Sequence, residues 1–178
     1  MTLLELMIAM LVLAIGLGAL TILFASAMLS NNKNSKDTSA TLLSQMVIEQ
    51  VTAQHPSSTA TITVTDCAGN NWTIATTGGA APNGAGAALV TLSTSLNYGG
   101  IDQTQVYSAI PAGYAMQYVD CGTNGRQVVY DVRWNVMTMT TNNTRLVTAS
   151  ARKSEGPANQ LGGRIFAMPV TLRGIGGT

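Results

Sequence analysis

The chain has 178 residues, with nine Lys and Arg against eight Asp and Glu, for a net charge of +1. Only 10% of residues are charged and 46% are hydrophobic, whereas an ordinary soluble domain carries about 25% charge. The hydrophobic content excludes a disordered chain, the lack of a basic stripe speaks against nucleic-acid binding, and one His with two Cys offers no evident metal site.

Residues 1 to 54 read as one long helix, with no Pro before Pro56. Between Leu6 and Asn32 there is no Asp, Glu, Lys or Arg. At 1.5 Å per residue the run Leu6–Ser30 extends roughly 37 Å, enough to cross a hydrocarbon core of about 30 Å. The composition changes at Asn31-Asn32-Lys33. Beyond it Leu42, Leu43, Met46, Val47 and Val51 recur at helical spacing, with Lys36, Asp37, Ser44, Gln45, Glu49 and Gln50 between them. This is an amphipathic helix that needs a partner surface, and His55-Pro56-Ser57-Ser58 ends it.

From residue 59 the period becomes two, the spacing of a half-buried strand. Strands are predicted at Thr59–Thr65, Trp72–Thr76, Leu89–Ser93, Gly113–Val119, Arg126–Thr140, Thr144–Arg152 and Arg164–Leu172. In Arg126–Thr140 one face carries Val128, Tyr130, Val132, Trp134 and Val136, and the other Asp131, Arg133 and Asn135. Thr141-Asn-Asn reads as a hairpin turn; Thr76–Ala88 and Lys153–Gly163 read as loops. The predicted class is α+β: a long N-terminal helix, hydrophobic spike plus amphipathic half, packed on an antiparallel sheet. Its divisions are 1–30, 31–55 and a β-rich domain over 56–178.

Glu5 is the one acid ahead of the uncharged run. In the first helical turn the macrodipole favours an anion by roughly 0.3–1 kcal/mol. A charge among apolar helices or lipid costs on the order of 2.5–3.5 kcal/mol on insertion scales and is normally paired. The nearest positive group in sequence is the Met1 α-amine, so a Glu5–amine pair between adjacent subunits would fix an axial register.

The segment Met1-Thr2-Leu3-Leu4-Glu5-Leu6-Met7-Ile8 resembles the mature N-terminus of the type IV pilin and type II secretion pseudopilin superfamily. The pattern around Tyr130-Asp-Val-Arg-Trp134-Asn-Val136 is more loosely similar to pilus-modification minor pilins. The resemblance implies processing and N-methylation at Met1. It also implies a helix that is first a membrane anchor and then a filament core, with Glu5 setting the register. The implied partners are other pilins or copies of the chain, a prepilin peptidase, the inner-membrane assembly machinery, an outer-membrane secretin and a separate ATPase, with no specific nucleic acid. The implied places are the inner membrane before assembly and an extracellular filament after it. Many relatives have Pro at position 22, where this chain has Ile22. Gly16 and Gly18, each costing a helix about 1 kcal/mol against Ala, are the candidate break points. A non-helical stretch between Gly16 and Phe24 is expected in an assembled filament, and a continuous helix in the isolated subunit.

Cys67 and Cys121 sit in matching contexts, Asp66-Cys67-Ala-Gly-Asn70 and Asp120-Cys121-Gly-Thr-Asn124. Two such turn-entry cysteines in an exported domain point to one disulfide. The turns hold too few carboxylates for calcium. His55 is the only His, and the run Gly78–Gly86 lacks the Lys-Ser/Thr end of a phosphate loop, so no catalytic constellation and no cofactor is expected. The expected role is that of a non-enzymatic pilus subunit. The rivals are a secretion pseudopilin and a single-pass anchored binding domain that never polymerises.

Overall fold

A computed structural model of the chain describes residues 3–90, 99–122, 127–139, 144–154 and 169–176. Met1, most of the predicted strand Leu89–Ser93, the Asn124-Gly125 and 141–143 turns, and the start of the predicted strand Arg164–Leu172 lie outside the described residues. The chain divides into two units, Met1–Lys36 and Asp37–Thr178. Helix α1 spans Leu3–Thr52 without a break. It stops at Thr52 rather than near 54, where Ala53 N–H still reaches the Glu49 carbonyl (2.9 Å) before Pro56 ends the pattern.

Within the second unit, Ala40, Leu43, Ser44, Val47 and Val51 are the buried positions of α1. Their spacing of three and four is one face of a 3.6-residue helix. Two expectations need correction on this face. Leu42 is 59% exposed, because it lies about 100° around the axis from Leu43. Ser44, expected on the polar side, is fully buried, and its Oγ has no partner among the described residues.

The strands are β1 (Thr61–Thr65), β2 (Asn71–Ala75), β3 (Gly79–Ala80), β4 (Ala85–Gly86), β5 (Ala115–Cys121), β6 (Gln127–Met139), β7 (Thr144–Lys153) and β8 (Val170–Gly176). β1 and β2 form a separate antiparallel hairpin in which Ile62 pairs with Ile74 and Thr63 with Thr73. The larger sheet is built on β6, which pairs antiparallel with β5, β4 and β7; β8 closes the far side against β7. The sheet is mixed rather than purely antiparallel, because β3 joins β6 in parallel at Gly79–Met137 and Ala80–Thr138. Both β3 and β4 arise inside the stretch predicted as loop. Two-residue strands leave no alternating pattern to detect.

β8 runs further toward the C-terminus than predicted, through Gly174 and Gly176. A Cβ on Gly174 would collide with Ile48 Cγ2, so the glycine that weakens a strand in sequence is what lets β8 lie against the lower half of α1. The core combines α1 with the inner faces of β6 and β7: Val47, Val51, Tyr130, Val132, Trp134, Val136, Val147, Ala149 and Ala151. Tyr114 and Trp134 lie with ring centroids 6.3 Å apart. Their polar ends are satisfied, Tyr114 Oη–H donating to Thr77 O (2.6 Å) and Trp134 Nε1–H to Ala75 O (3.2 Å). Tyr118, further along β5, is only half-buried.

The polar face of β6 departs most from the sequence expectation. Asp131, Arg133 and Asn135 are 6%, 3% and 2% exposed, as buried as the apolar face. Arg133 Nε and Nη2 hold both oxygens of Asp131, with Nη2 at 2.7 Å, and Arg152 Nη2 is a third donor at 3.3 Å. The remaining Arg133 nitrogen donates to Gln105 O (2.7 Å). Loops fold over this face, and the charges are tolerated because they are paired and hydrogen-bonded.

Candidate functional site

The first feature with functional meaning is the N-terminal segment of α1. Every residue from Leu3 to Ser35 is exposed, including Leu13 (64%), Ile15 (65%) and Leu23 (63%). From Leu6 to Leu29 it is uncharged and largely apolar all round, and a helix of that kind belongs inside a larger protein assembly or a membrane. By length and composition α1 is able to cross a bilayer, with a mean hydropathy of 2.7 over its most apolar window. Glu5 lies in its first turn, where the helix dipole favours an anion. Gly16 and Gly18 sit in the uninterrupted helix, and a Cβ at either would meet nothing within 4 Å. Thr21 Oγ–H donates to the Gly18 carbonyl (2.8 Å) and Ser26 Oγ–H to Leu23 O (2.9 Å), so hydroxyls already second the backbone ladder in the glycine-rich turn.

The second feature is the Cys67–Cys121 disulfide, with Cα atoms 5.9 Å apart. Cys67 enters the turn after β1, and Cys121 is the last paired residue of β5, opposite Gln127. The bond therefore joins the β1–β2 hairpin to the larger sheet. Sequence reasoning paired Asp66 with Asp120 as equivalent, but only Asp66 becomes a hub. Its carboxylate accepts from Ala68 N–H (3.0 Å), Asn70 N–H (2.8 Å), Asn70 Nδ2 (2.9 Å), Trp72 Nε1 (3.1 Å) and Val119 N–H (3.3 Å). Burial pushes the Asp66 carboxyl up, but the Asn70 carboxamide, the Trp72 indole and the Asn70 and Val119 amides outweigh it and hold the pKa at about 2. Filled by N–H donors, it has no lone pairs left for a cation. Among the described residues no group of three His, Cys, Asp or Glu is placed to hold a metal. The signal for the hub was readable: an Asp two residues before a turn amide is an Asx turn.

His55 sits at the helix exit, exposed, with Nδ1 2.8 Å from Ser57 Oγ and 3.3 Å from Ser57 N. A Ser and a His in contact invite a nucleophile–base reading. Here the same ring nitrogen also takes the Ser57 amide, and the two residues are local neighbours on an exposed turn.

No family model, curated protein or solved structure matches the chain. What the chain shares with pilins is general: a long N-terminal apolar helix, its lower half packed on a β-sheet, and a disulfide in the β domain.

Proposed function

We propose that the chain is a structural subunit of a type IV pilus-like filament, not an enzyme. The observation that carries this reading is a helical segment exposed and apolar on every side, in a helix whose other half closes the core of a disulfide-stapled β domain. A segment without a polar face fits lipid on all sides before assembly and like helices on all sides afterwards. The disulfide fits an oxidising compartment outside the cytoplasm, so the β domain faces outward from the inner membrane and then coats the filament. In this reading Met1 is the processed, N-methylated residue, and Glu5 receives the terminal amine of a neighbouring subunit. A prepilin peptidase, an assembly platform and a separate ATPase act on the chain, and other pilins surround it.

The test is Glu5→Ala in cells that express the chain. The variant is expected to stay in the membrane fraction while its yield in sheared surface filaments, measured by mass spectrometry and negative-stain microscopy, falls at least about tenfold, the loss of one desolvated charge pair. Wild-type yield from the variant would remove the register role. Absence of the wild-type chain from any filament would favour an anchored domain that never polymerises.

A further inference from the structure

Each of the two sheets has an outer strand, and the two strands are guarded differently. β8 is the outer strand of the larger sheet. Its Gly174 and Gly176 lie against Ile48 and Thr52 of α1, and its middle residue is Arg173, whose Nη2 donates to Gly99 O (2.6 Å). β1 pairs with β2 alone. It carries no charge and no Pro, and no bulge interrupts its register, so it has none of the devices that blunt an open edge.

The ladder fixes which backbone groups β1 leaves open. Asp66 N–H donates to Asn70 O (2.9 Å), so hydrogen-bonded pairs in this hairpin fall at Asp66–Asn70, Val64–Trp72 and Ile62–Ile74. The N–H and C=O groups of Thr61, Thr63 and Thr65 therefore point away from β2. The same alternation turns the Ala75 N–H out of the other side of the hairpin, where it meets Gly113 O (2.8 Å). No such partner meets Thr61, Thr63 or Thr65 among the described residues, and all three are exposed.

The sequence Thr61-Ile62-Thr63-Val64-Thr65 is its own complement. Turned end for end about Thr63 it again reads Thr, β-branched apolar, Thr, β-branched apolar, Thr. A second copy laid antiparallel about this centre sets Thr63 opposite Thr63 of the second copy and Thr61 opposite Thr65 of the second copy. The open groups then face each other, so every such pair exchanges two hydrogen bonds, and Thr opposite Thr is a favourable cross-strand pair. On the other face half-buried Ile62 meets Val64 of the second copy. No like charges are brought together, since Asp66 falls opposite Ala60 of the second copy. β8 fails the same comparison: centring it on itself sets Arg173 opposite Arg173 of the second copy, a like-charge pair.

We propose that the open edge of β1 binds the same edge of a second copy of this chain, joining two hairpins into one four-stranded antiparallel sheet with a two-fold axis at Thr63. A strand of five residues is small beside the about 20–30 residues a side of a standard interface. A single pair is therefore weak and gains strength where many copies are presented together. Pairing needs only the folded β domain, so it holds whether the chain polymerises or stays anchored.

The test is register-specific cross-linking of the full chain in detergent micelles under oxidised glutathione, read by non-reducing electrophoresis and peptide mapping. In the two-fold pair the Thr63 Cα atoms lie about 5.5 Å apart, within disulfide reach, whereas the two Thr61 Cα atoms lie roughly 14 Å apart. Thr63→Cys is expected to give at least about tenfold more linked dimer than Thr61→Cys. Chains with Thr61→Cys mixed with chains with Thr65→Cys are expected to link to each other. Adding Thr63→Lys to both mixed chains is expected to cut that link at least about tenfold, and Thr63→Lys in one with Thr63→Glu in the other to restore it. No linked dimer from Thr63→Cys, an equal yield from Thr61→Cys, or linking undiminished by Thr63→Lys in both chains would each overturn the proposal.

Discussion

Between Leu3 and Ser35, α1 exposes Leu, Ile, Met and Val on every side and buries nothing. In the β domain the situation is reversed: Asp66, Asp131, Arg133 and Asn135 are all at most 6% exposed. Each region breaks the ordinary rule of apolar inside and polar outside, and the two breaks have different remedies. A buried polar group is satisfied from within the chain, by loops that fold back and bring carbonyls and carboxylates to it. An exposed apolar helix has no internal remedy, so its remedy must come from lipid or other chains. The first kind of anomaly describes how the domain holds together, and the second describes what the chain needs from its surroundings.

The largest loss of stability in the β domain is expected from removing the covalent link. Cys67→Ser with Cys121→Ser opens a loop closed across a separation of 54 residues, which in the chain-entropy account costs roughly 4 kcal/mol. Denaturant unfolding of the full chain in micelles, followed by Trp fluorescence, measures it. The helical signal of the exposed segment should be unchanged.

Two buried arginines differ in how fully their nitrogens are engaged. Arg133 is fully engaged, and Arg133→Met leaves Asp131 with Arg152 alone and the Gln105 carbonyl without its guanidinium donor, for an expected loss of about 3 kcal/mol. Arg145 is as buried, but donates from Nη2 to Ser58 O (2.8 Å), while Nε and Nη1 have no partner among the described residues. Burial pushes its pKa down. Arg145→Met should therefore be neutral or gain about 1 kcal/mol. Equal losses from both substitutions in the same melts would show that partner count does not govern the cost.

Acid gives a smaller and reversible perturbation. Asp66 has a folded pKa of about 2 against an ordinary 3.8, a depressed carboxyl. Its contribution is full above the ordinary value and is lost as pH falls through the folded one. Between pH 4 and 2 the chain should lose stability that Asp66→Asn does not lose, measured as the difference between the two pH profiles of the melting midpoint.

The smallest effect on the β domain should come from the other region. Leu20→Arg places a charge in the apolar run, at a membrane-insertion cost on the order of 2.5–3.5 kcal/mol. The β domain should nevertheless unfold within about 0.5 kcal/mol of wild type. Depletion from the membrane fraction with an unchanged denaturation midpoint is the expected pair of results.

The long helix, the α+β class and the Cys67–Cys121 pairing were legible because each rests on a local or compositional signal: an uncharged run, a change of period from 3.6 to 2, two equivalent turn contexts. The inner face of β6 was legible for the same reason, since Val132, Trp134 and Val136 alternate. The burial of Asp131, Arg133 and Asn135 was not, because it depends on loops distant in sequence settling over them. Alternation identifies two faces of a strand but cannot count the layers that cover them. Leu42 and Ser44 show the finer limit: a helical face is fixed only by the partner it meets. β3 and β4 were hidden in a stretch whose Gly and Ala richness reads as featureless loop.

The β1–β2 hairpin shares no continuous ladder with the larger sheet. It is clamped at one end by the Cys67 bond and the Asp66 contact to Val119, and at the other by Ala75 N–H on Gly113 O (2.8 Å). A plank fixed at both ends can neither slide along its neighbour nor peel from one corner. Slippage by two residues, which its repeated Thr-x-Thr pattern would otherwise permit, must break both clamps at once. Under tension along the chain the hairpin is therefore expected to give way in a single step, with the covalent clamp as the last element to hold.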